Sequence, residues 1–297
     1  MNNENRHIPS PSAGAPGVWV GTSGYSYAEW TDAGFYPPGT RSADMLAAYA
    51  REFSITELNY TWYQMPRAPA LERMADNAPP GFLFAAKLHR SLTHETDPDG
   101  WRGEAAKYRQ GVAPLVRAGR LAAILAQFPP GFHRSPENRL YLARLLDELQ
   151  DLPMAVEFRH ASWADEKVFQ ELSRRRVALA CVDVPPLPGL FPMAWEVTSP
   201  DFFYIRFHGR NARGWRSGNM QNQFDYDYPD AELSPWAEQR IPAMLEKAGK
   251  GFVFFNNHVR AQAPKNARRL MELLPETARA ARPPTTPRKP WNDPSSI

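Results

Sequence analysis

Cysteine is almost missing from these 297 residues: Cys181 is the only one. A single thiol excludes an intrachain disulfide framework and any multi-cysteine zinc site, and its place in the middle of an apolar run marks it as inert core. Long apolar runs are missing too, with nothing near the ~20 residues of a membrane span, so no membrane partner is expected. The first 17 residues, MNNENRHIPSPSAGAPG, are polar and rich in Pro and Gly. They read as a disordered leader and not as a signal peptide, which implies a cytoplasmic location. No HExxH, P-loop or GxGxxG pattern occurs, so the local signatures of zinc, nucleoside triphosphate and dinucleotide sites are absent.

Excess charge of one sign is also lacking over most of the chain. The formal net charge is +3, and residues 279–297 carry all of it: Arg279, Arg282, Arg288 and Lys289 stand against Asp293 alone. The preceding body is formally neutral. Binding to duplex DNA rests on a basic face that displaces counterions, and a neutral body offers no such face beyond a local patch. The tail, with five prolines, reads as a flexible, solubilising end.

What is present is a globular composition, 43% hydrophobic with 16 Phe, 11 Tyr and 9 Trp. Short apolar runs alternate with longer segments of helical spacing. Strands are expected over residues 18–22, 55–61, 82–88, 121–128, 154–159, 178–183, 202–209 and 251–258. Helices are expected over 42–53, 67–77, 104–118, 135–150, 165–174, 234–248 and 264–274, with none clear after the sixth strand. Such alternation indicates an α/β fold with a parallel sheet, and eight strands close a TIM-like (β/α)8 barrel, here a single domain over residues 18–278. An open doubly wound sheet is the structural alternative.

Period-two alternation predicts which strand residues share a face. Counting by twos collects Glu57 and Asn59, Lys87, Gln127, Glu157 and Arg159, Asp183, Arg206 and His208, then Asn256 and His258, between apolar neighbours such as Leu58, Ala86, Phe158, Val182 and Phe207. The apolar set is expected to pack against helices and the polar set to face the barrel axis. All of the polar set would then converge on the C-terminal mouth, where barrels of this type keep their active sites.

A salt-bridge network could satisfy these charges, since such groups are seldom buried unless paired. So many polar positions at one end, however, point to chemistry. Glu157, Asp183, His208 and His258 are the candidate catalytic groups, the histidines because their reference pKa near 6.5 suits proton transfer at neutral pH. Arg159, Arg206 and Lys87 are candidates for binding a phosphate or carboxylate, with Glu57, Asn59, Gln127 and Asn256 beside them. Lys87 could also form a Schiff base if its pKa were lowered, against which the nearby carboxylates favour the charged amine. His208, His258, Asp183 and Glu157 could hold a divalent ion, although their spacing is not diagnostic. Long loops follow the first, third and seventh strands, and the last of these suits an ordered lid. Tyr25 and Trp215 lie in the first and last of these loops, where aromatic rings could stack on a sugar or base.

The motifs GTSGYSYAEW…FYPP, TELNYTWY, FLFAAKLHRSLTH, LAAILAQFPP, VEFRHASW, YIRFHGR and FFNNH…AQAPKNA together resemble the domain of unknown function 72, or YecE-like, family. The resemblance runs from Val18 to Leu274 and implies a TIM-like barrel; it brings no established reaction. That family is similar in structure to endonuclease IV and xylose-isomerase-like barrels, which raises a nuclease or DNA-binding role. Endonuclease IV builds its metal centre from many histidines, and only two lie in the inward register here. The expected function is therefore an enzyme of hydrolase or isomerase type acting on a small anionic, phosphorylated or sugar-like molecule. A metal-dependent phosphodiesterase and a non-catalytic ligand-binding barrel are the alternatives.

Overall fold

The computed structural model describes residues 16–280. Eight strands, β1 (Gly17–Ser23), β2 (Ile55–Leu58), β3 (Leu83–Lys87), β4 (Leu121–Gln127), β5 (Met154–Glu157), β6 (Ala178–Asp183), β7 (Phe203–Phe207) and β8 (Lys250–Phe255), pair in parallel in chain order. Strand β1 closes on β8 through the register from Gly17↔Lys250 to Thr22↔Phe255. The sheet is a closed barrel, so the open alternative does not apply.

The barrel interior is filled by unequal halves. Ala85, Ala123, Ala155, Ala178 and Ala180 come from β3 to β6, and they face Phe252, Phe254 and Tyr204 from β7 and β8, with Ile55, Ala122, Leu125 and Phe202 completing the buried cluster. Small residues opposite large ones fill a tapering eight-stranded barrel without voids. A larger apolar layer lies between strands and helices and includes Leu58, Phe84, Ile124, Val156, Leu179, Ile205 and Phe255.

The long helices have local causes. Pro136–Glu148 begins where Ser135 Oγ accepts from the Asn138 amide at 3.2 Å, with proline in its first turn, and Glu166–Arg174 is capped by Asp165; each cap satisfies an otherwise orphaned amide. As expected from sequence, no helix connects β6 to β7. Helical segments outnumber the expected seven, because short ones such as Ala212–Arg216 and Met220–Gln223 occupy the loop after β7. Strand β2 stops at Leu58 and not at residue 61: Thr61 Oγ bonds to the carbonyls of Leu58 (2.8 Å) and Lys87 (2.6 Å), drawing Tyr60–Tyr63 into a helical turn.

Most of the expected leader and tail, residues 1–17 and 279–297, lies outside the described residues. Gly17 belongs to β1, while Arg279 bridges Val18 and Ala280 donates to the Val18 carbonyl at 3.2 Å, so these belong to the barrel end. Among the described residues no helix is long and apolar enough to cross a membrane.

Gly21 sits where two strands and a tyrosine meet. A Cβ there would lie 2.2 Å from the Ile55 carbonyl oxygen and 3.0 Å from Tyr49 Oη, the hydroxyl that accepts from the Thr22 amide and donates to the Ile55 carbonyl. Gly21→Ala should therefore destabilise the barrel by roughly 1–3 kcal/mol, as overpacked cores do. A urea midpoint equal to that of the parent would refute this.

Candidate functional site

The polar end of the barrel is organised around Arg206, whose side chain is 1% exposed. It extends inward from β7 above the Tyr204 ring. Its Nη2 donates to Glu57 Oε1 at 2.6 Å and to Ser23 Oγ at 3.3 Å, and its Nη1 donates to Glu157 Oε2 at 2.7 Å. Both carboxylates are fully buried. Tyr204 Oη donates to Glu57 Oε2 at 2.6 Å, and Arg159 Nε contacts Glu157 Oε1 at 2.6 Å. Three of the four carboxylate oxygens thus accept hydrogen bonds, and the fourth, Glu157 Oε1, is in ion contact with Arg159. Burial by itself pushes Glu157 up, but Arg159 and Arg206 outweigh it and hold the carboxyl well below its usual range; opposite charges at this distance outweigh desolvation. Arg206 therefore has no free fork for a ligand, which corrects its expected role in substrate binding.

The next shell faces the opening. His208 Nε2 lies 3.3 Å from Arg159 Nη2, 3.5 Å from Arg206 Nη1 and 3.3 Å from Glu157 Oε1, while its Nδ1 is 3.0 Å from Asn256 Nδ2. Burial, reinforced by Arg159, drives its pKa down to about 3. The imidazole is neutral at neutral pH, so the proton-carrying role expected of it does not fit this environment; it is a polar spacer between two guanidiniums. Arg159 is 11% exposed and lies 5.6 Å from the Trp215 ring, which places both at the opening.

Lys87 ends β3 on the inward face. Its carbonyl is held by Thr61 Oγ and by Tyr108 Oη at 3.0 Å. Its Nζ lies 5.2 Å from the centre of the Trp62 ring, and among the described residues no carboxylate pairs with it. Burial, followed by the nearby Arg206, lowers its pKa to about 7. The carboxylates expected to keep this amine charged are there, but they are engaged by the two arginines. Trp62 Nε1 donates to His94 Nδ1 at 3.2 Å, and burial with Lys87 lowers His94 to about 4.

Other expected residues are placed differently. Asp183 faces outward: in the β6–β7 register it stands beside Phe207, while Val182 stands beside inward Arg206. It accepts two bonds from Arg210 (2.7 and 2.6 Å), one from Tyr228 Oη (2.9 Å) and one from Trp236 Nε1 (3.3 Å). Its carboxylate belongs to the helical layer, not to the mouth, so the expected catalytic and metal-binding parts for Asp183 are withdrawn. Asn59 follows β2 in helical conformation beside Tyr27. Gln127 ends β4 next to Glu157 but donates to the Phe128 carbonyl at 2.8 Å. Tyr25 packs on Tyr49 at 6.0 Å. His258 stacks on Tyr27 at 4.9 Å with Nδ1 3.3 Å from Glu29 Oε1, and Phe224 lies 5.9 Å from both it and His208. Among the described residues no three His, Cys, Asp or Glu side chains come together as metal ligands.

The loop after β7 covers this mouth with both ends tied down. At one end Gly209, at φ +90°, donates to Tyr228 Oη at 2.9 Å. At the other, Tyr226 N donates to Gln262 Oε1 at 2.9 Å and Tyr228 N to Asn266 Oδ1 at 3.2 Å. Sequence reasoning did not single out Tyr204, Ser23, Trp62 and His94. Tyr204 and Ser23 share the inward period of Arg206 and Glu57, a signal that was available; Trp62 lies in the one-turn helix Tyr60–Tyr63 and His94 in a turn, both too short for a period to show.

The family model described as "Protein of unknown function DUF72" matches residues 19–291. The UPF0759 protein YunF of Bacillus subtilis (strain 168) is 28% identical over 272 residues, 86% of this chain and 94% of that protein. The crystal structure of a DUF72 family protein from Thermotoga maritima MSB8 is similar with 34% identity and a TM-score of 0.76, covering 86% of this chain and 98% of that one. Another, from Enterococcus faecalis V583, is 26% identical with a TM-score of 0.77, covering 86% and 95%.

Two stability measurements test the electrostatics. Arg206→Met strands two buried carboxylates and should cost about 3–5 kcal/mol at pH 7. The deficit should shrink toward pH 4 as the variant's carboxyls take up protons, whereas the parent keeps Glu157 ionised there; a deficit independent of pH contradicts the assignment. Lys87→Met should stabilise at pH 7 by on the order of 4 kcal/mol, since the folded amine binds its proton more weakly than the unfolded one. Between about 7 and 10.5 the unfolded parent binds more protons, so the parent gains stability as pH rises and the variant's advantage should vanish near the top of that window. Urea titrations at pH 7, 9 and 10.5 would show whether it does.

Proposed function

The chain belongs to the DUF72 family of proteins of unknown function, and on that premise we propose that its barrel mouth binds a small anionic molecule, phosphorylated or carboxylated and sugar-like, and exchanges protons with it. The observation that carries this reading is Lys87. Two guanidiniums and two carboxylates balance within the cluster, so among the described residues a protonated Lys87 is one positive charge without a counter-ion in the mouth. An amine in that position costs stability, and stability alone would favour an apolar residue there. An incoming anion supplies the missing partner.

Arg159, the more exposed of the two clustered arginines, is placed to share the anion. Trp62, Trp215 and Phe224 offer ring faces suited to the apolar face of a sugar. With a pKa of about 7, Lys87 is present in both protonation states near neutrality, the condition for an efficient general acid or base. Hydrolysis and isomerisation both draw on such a group. Glu157 and His208, held in single protonation states, position the cations. Neither a nuclease nor a DNA-binding reading gains support from the neutral body or from the dispersed histidines.

Anion binding should be coupled to proton uptake by Lys87. Titration calorimetry with inorganic phosphate and with a sugar phosphate at pH 8, in buffers of different ionisation enthalpy, should report uptake approaching about one proton per site. Affinity should be higher at pH 6.5 than at pH 9. Lys87→Met and Arg159→Met should each weaken binding by about tenfold or more, the worth of a charge-assisted contact. Binding that ignores pH and both substitutions would sink the proposal.

A further inference from the structure

We infer that the Lys87 amine forms an imine with the carbonyl carbon of a small aldehyde or ketone that also carries an anionic group, and that Arg159 holds the anionic end. This inference rests on the anion site just described and goes beyond it, from a charge contact to a covalent bond.

Geometry separates Lys87 from an ordinary binding lysine. Its backbone is pinned by two hydroxyls, Thr61 Oγ at 2.6 Å and Tyr108 Oη at 3.0 Å on one carbonyl, and by the Leu88 amide bond to Leu125 at 2.9 Å. The amine therefore projects from a rigid strand end. Every nearby carboxylate oxygen is already engaged, by Arg206, Tyr204 or Arg159, so the nitrogen lone pair is not committed to a salt bridge. Trp62, fixed through His94, lies beside it at 5.2 Å and shields it from water on one side. A desolvated lysine beside other cations is the environment that makes an amine nucleophilic at neutral pH. Exposed lysines such as Lys107 and Lys265 are instead paired with Glu104 and Asp227.

The step balances without an oxidant or reductant. The unprotonated amine attacks the carbonyl carbon, the C–N bond forms, and the carbonyl oxygen takes a proton to give a carbinolamine. That hydroxyl then leaves with a proton as water while nitrogen loses its remaining amine proton to solvent, leaving the neutral imine. Protonation of the imine nitrogen creates an electron sink adjacent to the former carbonyl carbon, which is what proton abstraction or carbon–carbon cleavage next to a carbonyl requires.

The test uses the full chain with pyridoxal 5′-phosphate and, separately, pyruvate as probes at pH 7.5, each trapped with borohydride reagents and located by peptide mass spectrometry. At sub-stoichiometric probe, Lys87 should be labelled at least about a hundredfold faster than Lys107 or Lys265, because the reactive fraction is the unprotonated amine. Inorganic phosphate should protect it. Lys87→Arg, which keeps the charge, should abolish the adduct while retaining phosphate binding. Labelling spread over lysines according to exposure, or phosphate binding by the parent without an adduct on Lys87, overturns the imine and leaves the anion site standing. Absence of both phosphate binding and adduct overturns the two together.

Discussion

One guanidinium holds the polar end of this barrel together. Arg206 links β7 to β2 and β5 through Glu57 and Glu157, spanning the interior just above the apolar plug of alanines and aromatic rings. Three charged groups with under 2% exposure are tolerable only because opposite charges meet: Arg206 Nε and Glu157 Oε1 lack a hydrogen-bond partner, but Glu157 Oε1 lies 2.6 Å from the Arg159 guanidinium. Removing any member strands the others, which is why such clusters are costly to break even where an apolar substitute for the whole would be stable. The pairing also fixes the protonation of its surroundings. Glu157 is kept ionised by the guanidiniums beside it, while burial, reinforced by the same guanidiniums, keeps His208 neutral and Lys87 between states.

The floor and the plug depend on each other. Alanines on β3 to β6 leave room for the rings of Tyr204, Phe252 and Phe254, and Tyr204 uses its hydroxyl to close the last valence of Glu57. A larger residue opposite would lift that ring and misplace the carboxylate. Rigid support from a packed core beneath is what keeps a charged constellation within the tolerance that chemistry needs.

Much of this was legible in the amino-acid order. The alternation in β2, β5 and β7 placed Glu57, Glu157 and Arg206 on the axis, because their neighbours Leu58, Phe158 and Phe207 must meet helices. The same rule failed at Asp183, where phase was taken from the polar end of β6 when the small residues Ala178 and Ala180 carried it. An outward carboxylate is admissible when the helical layer brings donors to it, and Arg210, Tyr228 and Trp236 come from segments distant in sequence from β6. Asn59 left its strand because a threonine hydroxyl two residues on reaches across to the next strand. The depressed affinity of Lys87 and His208 for protons depends first on how deeply each is buried and then on who is paired with whom, and no alternation pattern carries that information.

The outward position of Asp183 has a mechanical consequence. Through Arg210 and Tyr228 it rivets the first and last residues of the β7 loop to the helical shell, and Gly209 and the helix Gln262–Leu273 add further rivets at the same two points. Between them, Asn211 ties the span across its own neck by bonding the carbonyls of Asn222 (2.9 Å) and Asp225 (3.2 Å). Such a loop cannot peel away from either end. Any traffic through it must come from flexing of the short span that carries Trp215 and Phe224, so admission at the mouth is a matter of two rings tilting and not of a domain swinging.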